Sequence, residues 1–348
     1  MPMPPLEKIL EKIGLAPGPR PPRLKPRLPL AAVQVAPGRI SAVRLSPPPF
    51  RRKGGDPRHA VAAHREVELP PGLQIPTLTR PQLPDPAPLA AAAEAVLGDV
   101  AGKESRISVV LPDSTARVSI LKFGRIPATR QEVMDLIRFR MQKVLPFRLE
   151  EAALDFQLLS NGAAEEPEFL VALMQRPVLF QYERLFGARE RVPGLVDLDS
   201  FNLANLLARG GGIGSGDAGD RALVNAAEGY LTVLFFREGR LNFYRCKQLS
   251  DEERVLPERL HAAIRREMAS CAAYYREHLS GAGLASAAVR IVEGDRGMIL
   301  GAAREEMGCP VEILDPSRAV VLPPGADASD ARWQRLAPAI GAALGRRA

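Results

Sequence analysis

Residues 30–44, LAAVQVAPGRISAVR, are the first candidates for ligand chemistry. An apolar run meets Pro37-Gly38, and alternation resumes at Ile40, Ala42 and Leu45, which reads as strand, tight turn, strand. The turn of a first hairpin is a common phosphate cradle, because its backbone N–H groups can converge on an anion. Arg39, next to that turn, could meet a phosphate or stand solvated. A second candidate, Gly214, Gly216 and Gly219, matches G-x-G-x-x-G. That motif needs a strand before it and a helix after it. Here the order is reversed, so the match is accidental. The four histidines are His59, His64, His261 and His278, and none falls into a Ser/His/Asp or Cys/His spacing. Glu150-Glu151 reads as solvated surface. Cys246, Cys271 and Cys309 include no C-x-x-C pair, so neither a disulfide framework nor a zinc site is expected. No catalytic residue and no metal ligand stands out.

The elements that would position these residues follow from the patterning. The chain has 348 residues and is 46% hydrophobic, enough for one large or two medium domains with a substantial core. No apolar run approaches the ~18 residues of a membrane span, and residues 1–29 lack the apolar core of a signal peptide. The cysteine usage suits a reducing cytoplasm. The net charge of +7 is uneven. Residues 1–65 hold thirteen Lys and Arg against three Asp and Glu, and the remainder sums to −3. A basic, proline-rich arm could touch nucleic acid or anionic lipid, or simply be solvated. No aromatic residue interleaves its charges before Phe50, as a stacking site would want. Within the arm, Leu6, Ile9, Leu10 and Ile13 share one helical face.

Beyond the hairpin, a third strand is expected near 60–69, extended proline-rich chain over 70–88, a helix over 88–100 and a buried strand over 106–113. A small module follows. Its strand carries Val118, Ile120 and Phe123, and Thr129 and Glu132 form a capping box. The helix behind them carries Val133, Ile137, Met141 and Val144, ending at Pro146. Two more strands and a helix opening at Pro177 complete it. Residues 194–210 give a strand and a helix, and 210–220 a glycine-rich hinge. The second half repeats the plan: a long hairpin turning at Glu238-Gly239 and a long helix with Leu260, Ile264, Met268, Cys271 and Tyr275 on one face. A strand, a helix, another strand and a closing helix over 331–344 follow. Two halves that each open with a hairpin and add crossover units suggest a duplicated α/β architecture with an inter-lobe cleft.

Several stretches in this order resemble the PilM family of actin-like type IV pilus assembly proteins, and more distantly the cytoplasmic part of the type II secretion L component. They are VVLPDSTARVSILKFGRIP, KVLPFRLEEAALDFQLL, PGLVDLDSFNLANLL, EGRLNFYR, GCPVEILDP and LAPAIGAALGRR. The resemblance spans roughly 30–348. It implies an α/β, two-lobed actin-like (ribonuclease H-like) fold with a small α+β domain inserted in the first lobe. The implied domains are a disordered arm (1–29), a first lobe (30–113 and 187–209), an insert (114–186), a hinge (210–220) and a second lobe (221–348). It further implies a cytoplasmic protein, peripheral to the inner membrane, that binds the cytoplasmic tail of a PilN-like bitopic protein, and ATP between the lobes.

The family's nucleotide site needs an Asp in each lobe's first hairpin for the metal, with glycines and small hydroxyls for the phosphates. Aligned through Ile40, the first loop reads Gln34, Val35, Ala36, Pro37, Gly38, Arg39. Gln34 replaces the Asp, Ala36 replaces a glycine, and Pro37 removes a backbone donor. In the second lobe the matching positions hold Asn225, Ala227 and Tyr230, and the adenine-side glycine pair is Gly294-Asp295. The expectation is therefore a scaffold with a degenerate nucleotide site and no bound cofactor. The alternative is an active Mg-ATPase that regulates pilus assembly. Candidate partner contacts are Phe123, Arg125, Arg138, Arg140, Lys143 and Phe147, whose cations suit an acidic or carbonyl-rich peptide. A homo-oligomer is a further candidate assembly.

Overall fold

The computed structural model describes residues 29–48, 58–79, 82–124, 129–160, 166–187, 191–214 and 219–345. The basic arm, with its amphipathic segment 6–15, and Arg125 lie outside the described residues. By contacts the chain divides into a small unit, Ala116–Pro177, and a larger one made of Leu28–Thr115 and Val178–Ala348.

The larger unit opens with β1 (Ala31–Ala36), β2 (Arg39–Ser46) and β3 (Ala60–Glu68), then α1 (Pro86–Val100) and β4 (Arg106–Leu111). The expected hairpin is present, and Gly38 supplies the positive φ of 72° that its turn requires. Residues 70–85 do not run simply extended. They turn at 71–73 and are tied down by a glutamine–tyrosine cluster. Gln74 Nε2 donates to the Tyr182 hydroxyl at 2.8 Å, and that hydroxyl donates to Gln82 Oε1 at 2.5 Å.

The small unit contains β5 (Arg117–Lys122), α2 (Arg130–Met141), β6 (Ala152–Ser160) and β7 (Glu168–Gln175), with strand order β5-β7-β6. Thr129 caps α2, its hydroxyl accepting from Glu132 N at 3.2 Å. Val133, Ile137 and Met141 pack on Phe123, Phe156 and Phe169 from the sheet. The helix ends at Met141 rather than running on to Pro146, and Val144 is exposed. Gln142 keeps helical angles past that end, and the chain tightens into a turn in which Val144 N and Leu145 N both bond the Met141 carbonyl.

Next come α3 (Arg176–Arg184), β8 (Val192–Leu198) and α4 (Asp199–Arg209). The first sheet has the order β3-β2-β1-β4-β8. The second lobe repeats it with β9 (Asp220–Ala227), β10 (Tyr230–Arg237), β11 (Arg240–Gln248), α5 (Pro257–His278), β12 (Leu284–Ile291), α6 (Arg296–Met307) and β13 (Val311–Ile313), in the order β11-β10-β9-β12-β13. The five expected positions along α5 are all buried. Tyr275 is held there by Gly281, where a Cβ would stand 2.2 Å from its ring.

Two expected boundaries move. The segment after Pro177 belongs to the larger unit, because Tyr182 is buried on Gln74 and Gln82. The closing helix α7 (Ala331–Leu344), expected in the second lobe with the rest of 221–348, packs on α4 and on β1, β2 and β4 of the first lobe. Its face reads Leu336, Ala337, Ile340, Gly341, Leu344, and small residues let it lie close to α4.

Candidate functional site: the inter-lobe cleft

Central strands covered on both faces should be apolar throughout. β1, β9 and β10 are almost wholly buried, so their polar members mark the site: Gln34, Asn225 and Thr232. Arg290 in β12 is a further exception, a fully buried cation. Gln34 pairs with Ser41 in the first hairpin, and Asn225 with Thr232 in the second. The two lobes thus present equivalent positions to one another.

Between these positions stand two carboxylates at the ends of parallel strands. Asp113 follows β4, and Asp199 follows β8 as the first residue of α4. Both are buried. Asp113 accepts from Ser200 N (3.0 Å) and from the Ser200 hydroxyl, both in its own lobe. It also accepts from the second lobe, through Thr232 Oγ1 (2.7 Å) and Asn225 Nδ2 (3.4 Å). Asp199 accepts from Gln34 Nε2 (2.8 Å) and from the Tyr230 hydroxyl. The second lobe therefore donates directly into the first lobe's carboxylates.

Arg290 completes the network. Its Nη1 donates to Asn225 Oδ1 at 2.8 Å and its Nε to the Gln334 carbonyl at 2.7 Å. That carbonyl lies four residues before Pro338, inside α7. Proline has no N–H to return, so the carbonyl is free for Arg290.

Burial pushes the Asp199 carboxyl up to about 7, with the Arg290 charge opposing and the Asp113 charge reinforcing. Asp113 is also raised by burial, against the bonds from Ser200, Thr232 and Asn225. The neighbouring Asp113 charge favours retention of a proton on Asp199. The sign of the consequence is fixed. The unfolded carboxyl, near 3.8, releases its proton while the folded one still holds it. The Asp199 contribution is therefore greatest at low pH and is lost as pH rises from about 4 to about 7. Asp199→Asn should flatten that slope by about 3 kcal/mol across the window, seen in urea midpoints measured from pH 4.5 to 8.

The residues expected at a phosphate site are otherwise engaged. Arg39, 7% exposed, forms an ion pair with Glu228 at the second lobe's hairpin turn. Its Nε also lies 3.5 Å from Glu66, which takes Arg335 Nε at 2.8 Å. Gly38 O accepts from Leu69 N. In the second turn the Gly229 N–H, the kind of donor a phosphate loop offers, is taken by Glu293 at 2.8 Å. Ala36 and Ala227 are buried at the hairpin ends. Asp295 caps α6, accepting from Met298 N, and its own N–H donates to His261 Nε2 at 3.0 Å. A Cβ at Gly294 would meet Ile299 at 2.9 Å. Asn225 and Tyr230 reach first-lobe carboxylates across the cleft and Arg39 reaches Glu228, Gln34 bonds Asp199 within its own lobe, and Gly294 and Asp295 serve the α5–α6 packing.

Among the expected partner contacts, Phe123 is buried in the small unit's core and Phe147 packs half-buried against it. Arg138 pairs with Asp135 on its own helix at 3.3 Å. Arg140 and Lys143 are exposed. His64 stacks edge-on against Trp333, and Glu150 and Glu151 stand at the surface.

Sequence reasoning passed over Asp113, Asp199 and Arg290. The available signal was an Asp closing each of two predicted strands, in LPD and VDLD, and an arginine inside the apolar strand AVRIV.

Two five-stranded sheets of the same order, each opening with a hairpin at a shared cleft and bridged by a closing helix, define a two-lobed actin-like fold. The chain matches no family model and no curated protein sequence. Among solved structures it is similar to the PilM-PilN type IV pilus biogenesis complex, with 17% identity over 92% of this chain and 98% of that one, at a TM-score of 0.70. That likeness is one of fold. Weaker matches are a Bacteroides thetaiotaomicron protein of actin-like ATPase fold and unknown function (8% identity, 83% of this chain, 91% of that one, TM-score 0.46), and the cytoplasmic domain of EpsL, an inner membrane component of the type II secretion system of Vibrio cholerae (12%, 88%, 94%, 0.41). No helix among the described residues is long and apolar enough to cross a membrane.

Proposed function

We infer that this chain is a PilM-like scaffold of a type IV pilus or type II secretion-like inner-membrane assembly. It binds the cytoplasmic tail of a PilN-like bitopic protein, stays peripheral to the membrane through that partner, and has a degenerate nucleotide site. The observation that carries the last point is the cleft's own chemistry. Gln34 and Asn225 are amides that donate to buried carboxylates. An amide brings no negative charge to a magnesium ion. Arg39, Gly229 and Tyr230 are committed to protein partners, so a triphosphate would have to displace an ion pair and two hydrogen bonds on entry. Candidate tail contacts on the small unit are the exposed Arg140 and Lys143 and the half-exposed Arg138 and Phe147.

Two measurements test the reading. Titration calorimetry with Mg-ATP at high micromolar protein should give a flat trace; a saturable heat would support the alternative of an active ATPase. A fluorescent peptide of the cytoplasmic tail encoded by the neighbouring bitopic gene should bind the full chain saturably, and Arg138→Glu should weaken it about tenfold. A tail that never binds the wild-type chain would overturn the scaffold assignment.

A further inference from the structure

The cleft lies where β1, β4 and β8 finish, so the starts of these parallel strands gather at the opposite end of the first lobe. Register fixes what stands there. Ala31 opposes Arg44 on β2, and Arg106 on β4 opposes Val192 on β8. Arg44 Nε ties the end of α1 to the sheet through the Val100 carbonyl, and Val192 N bonds the Ser105 carbonyl, both at 2.8 Å. Helix α4 begins at Asp199 in the cleft and so ends here, with Arg209 Nη2 donating to the Leu344 carbonyl at the end of α7 (3.4 Å).

This end is cationic. Lys103, Arg106 and Arg209 are exposed, and Arg191 is half-buried with its Nη1 on the Glu104 carbonyl. Its acids are largely engaged: Arg65 pairs with Asp99, Arg318 with Glu312 and Asp315, and Glu104 is half-buried. Val192, 57% exposed, stands beside Arg191 and opposite Arg106. The flanking sequence adds charge of the same sign. Residues 1–29, which lead into β1, hold six Lys and Arg against two Asp and Glu, and Arg346 and Arg347 follow α7.

We propose that this end of the first lobe is a docking face for an anionic phospholipid bilayer. Headgroup phosphates meet Lys103, Arg106 and Arg209, and Val192 seats at the acyl boundary. The segment whose Leu6, Ile9, Leu10 and Ile13 share one helical face supplies further apolar anchorage. A second copy does not suit the face, which would then meet its own charge. Nucleic acid suits it less well than lipid, because Val192 and the aliphatic residues of the arm offer no π-face to a base. The proposal is independent of the nucleotide reading and of the tail contacts, and adds a direct membrane contact to the one made through a partner.

Flotation of the full chain with vesicles of equal parts phosphatidylglycerol and phosphatidylcholine tests it. The wild type should float with them and not with pure phosphatidylcholine. It should be released at about 1 M salt, where the Debye length falls to ~3 Å. Lys103→Gln, Arg106→Gln and Arg209→Gln should each weaken binding about fivefold, and the three together about a hundredfold. Lys103→Gln with Arg106→Gln, both exposed, keeps the test decisive if Arg209→Gln disturbs the bond to Leu344. Val192→Trp should emit further to the blue on the vesicles, a change that the buried Trp333 does not contribute. Removing residues 1–28 should weaken binding and leave its dependence on Lys103 and Arg106. A wild type that never floats would overturn the proposal, as would a triple variant that floats like the wild type. So would a short duplex DNA bound with the same variant dependence and no Val192→Trp shift on vesicles, which would assign the face to nucleic acid.

Discussion

Arg290→Met is expected to destabilise the protein by about 3–5 kcal/mol, because it removes one side of a buried charge cluster and leaves the other. Methionine fills much of the same volume, so the loss reports on charge and hydrogen bonds rather than on a cavity. Three groups are affected. Asn225 Oδ1 and the Gln334 carbonyl lose their donors, and Asp199 loses the cation that opposes its burial. Neutralising one carboxylate should recover part of the effect, so Arg290→Met combined with Asp199→Asn should be more stable than Arg290→Met alone. Urea denaturation of the three variants and the wild type reads this. Additive losses in the double variant would mean that Arg290 acts on α7 alone.

Gly341→Ala is expected to cost about 3 kcal/mol or more by forcing two packed backbones apart. A Cβ at Gly341 would stand 2.0 Å from the Asn202 carbonyl oxygen and 2.7 Å from its carbon. Both are backbone atoms of α4, so no side chain can rotate away. The helices must separate. Helix α4 carries Asp199 and Ser200, and α7 carries the carbonyl that Arg290 holds, so the shift reaches the cleft. The thermal midpoint should fall by several degrees, and the Asp199-linked pH slope should shrink as the carboxylate gains solvent. Alanine is ordinarily the better helix former, by about 1 kcal/mol over glycine. A stabilised Gly341→Ala protein would therefore contradict the close approach of the two helices.

How far the sequence could be read depended on the range of the interactions involved. Local signals were reliable. Pro37-Gly38 marked the first turn, Thr129 marked the start of α2, and the spacing of Leu260 to Tyr275 marked the buried face of α5. Each rests on contacts within a few residues. The α2 ending differs because Val144, in step with the helical period, is exposed in a turn bonded to the Met141 carbonyl. The proline-rich run over 70–88 suggested extended chain, but Gln74 and Gln82 dock it on Tyr182, about a hundred residues away. The reach of α7 onto the first lobe was invisible for the same reason: its partners are in α4, β1 and β2, and its own period says only that it is buried.

The sequence alone determined that amides, Gln34 and Asn225, stand at matching places in the two opening hairpins, because a residue's chemical type needs no fold to be known. It also determined the doubled order of elements, since local periodicity and turn chemistry survive in any context. What Gln34 and Asn225 bond to is set by folding. Their amides meet Asp199 and Asp113, and Arg39 meets Glu228, through contacts between segments 112 to 189 residues apart that no local pattern encodes. Buried polar groups must find partners, and folding is what brings these partners within reach.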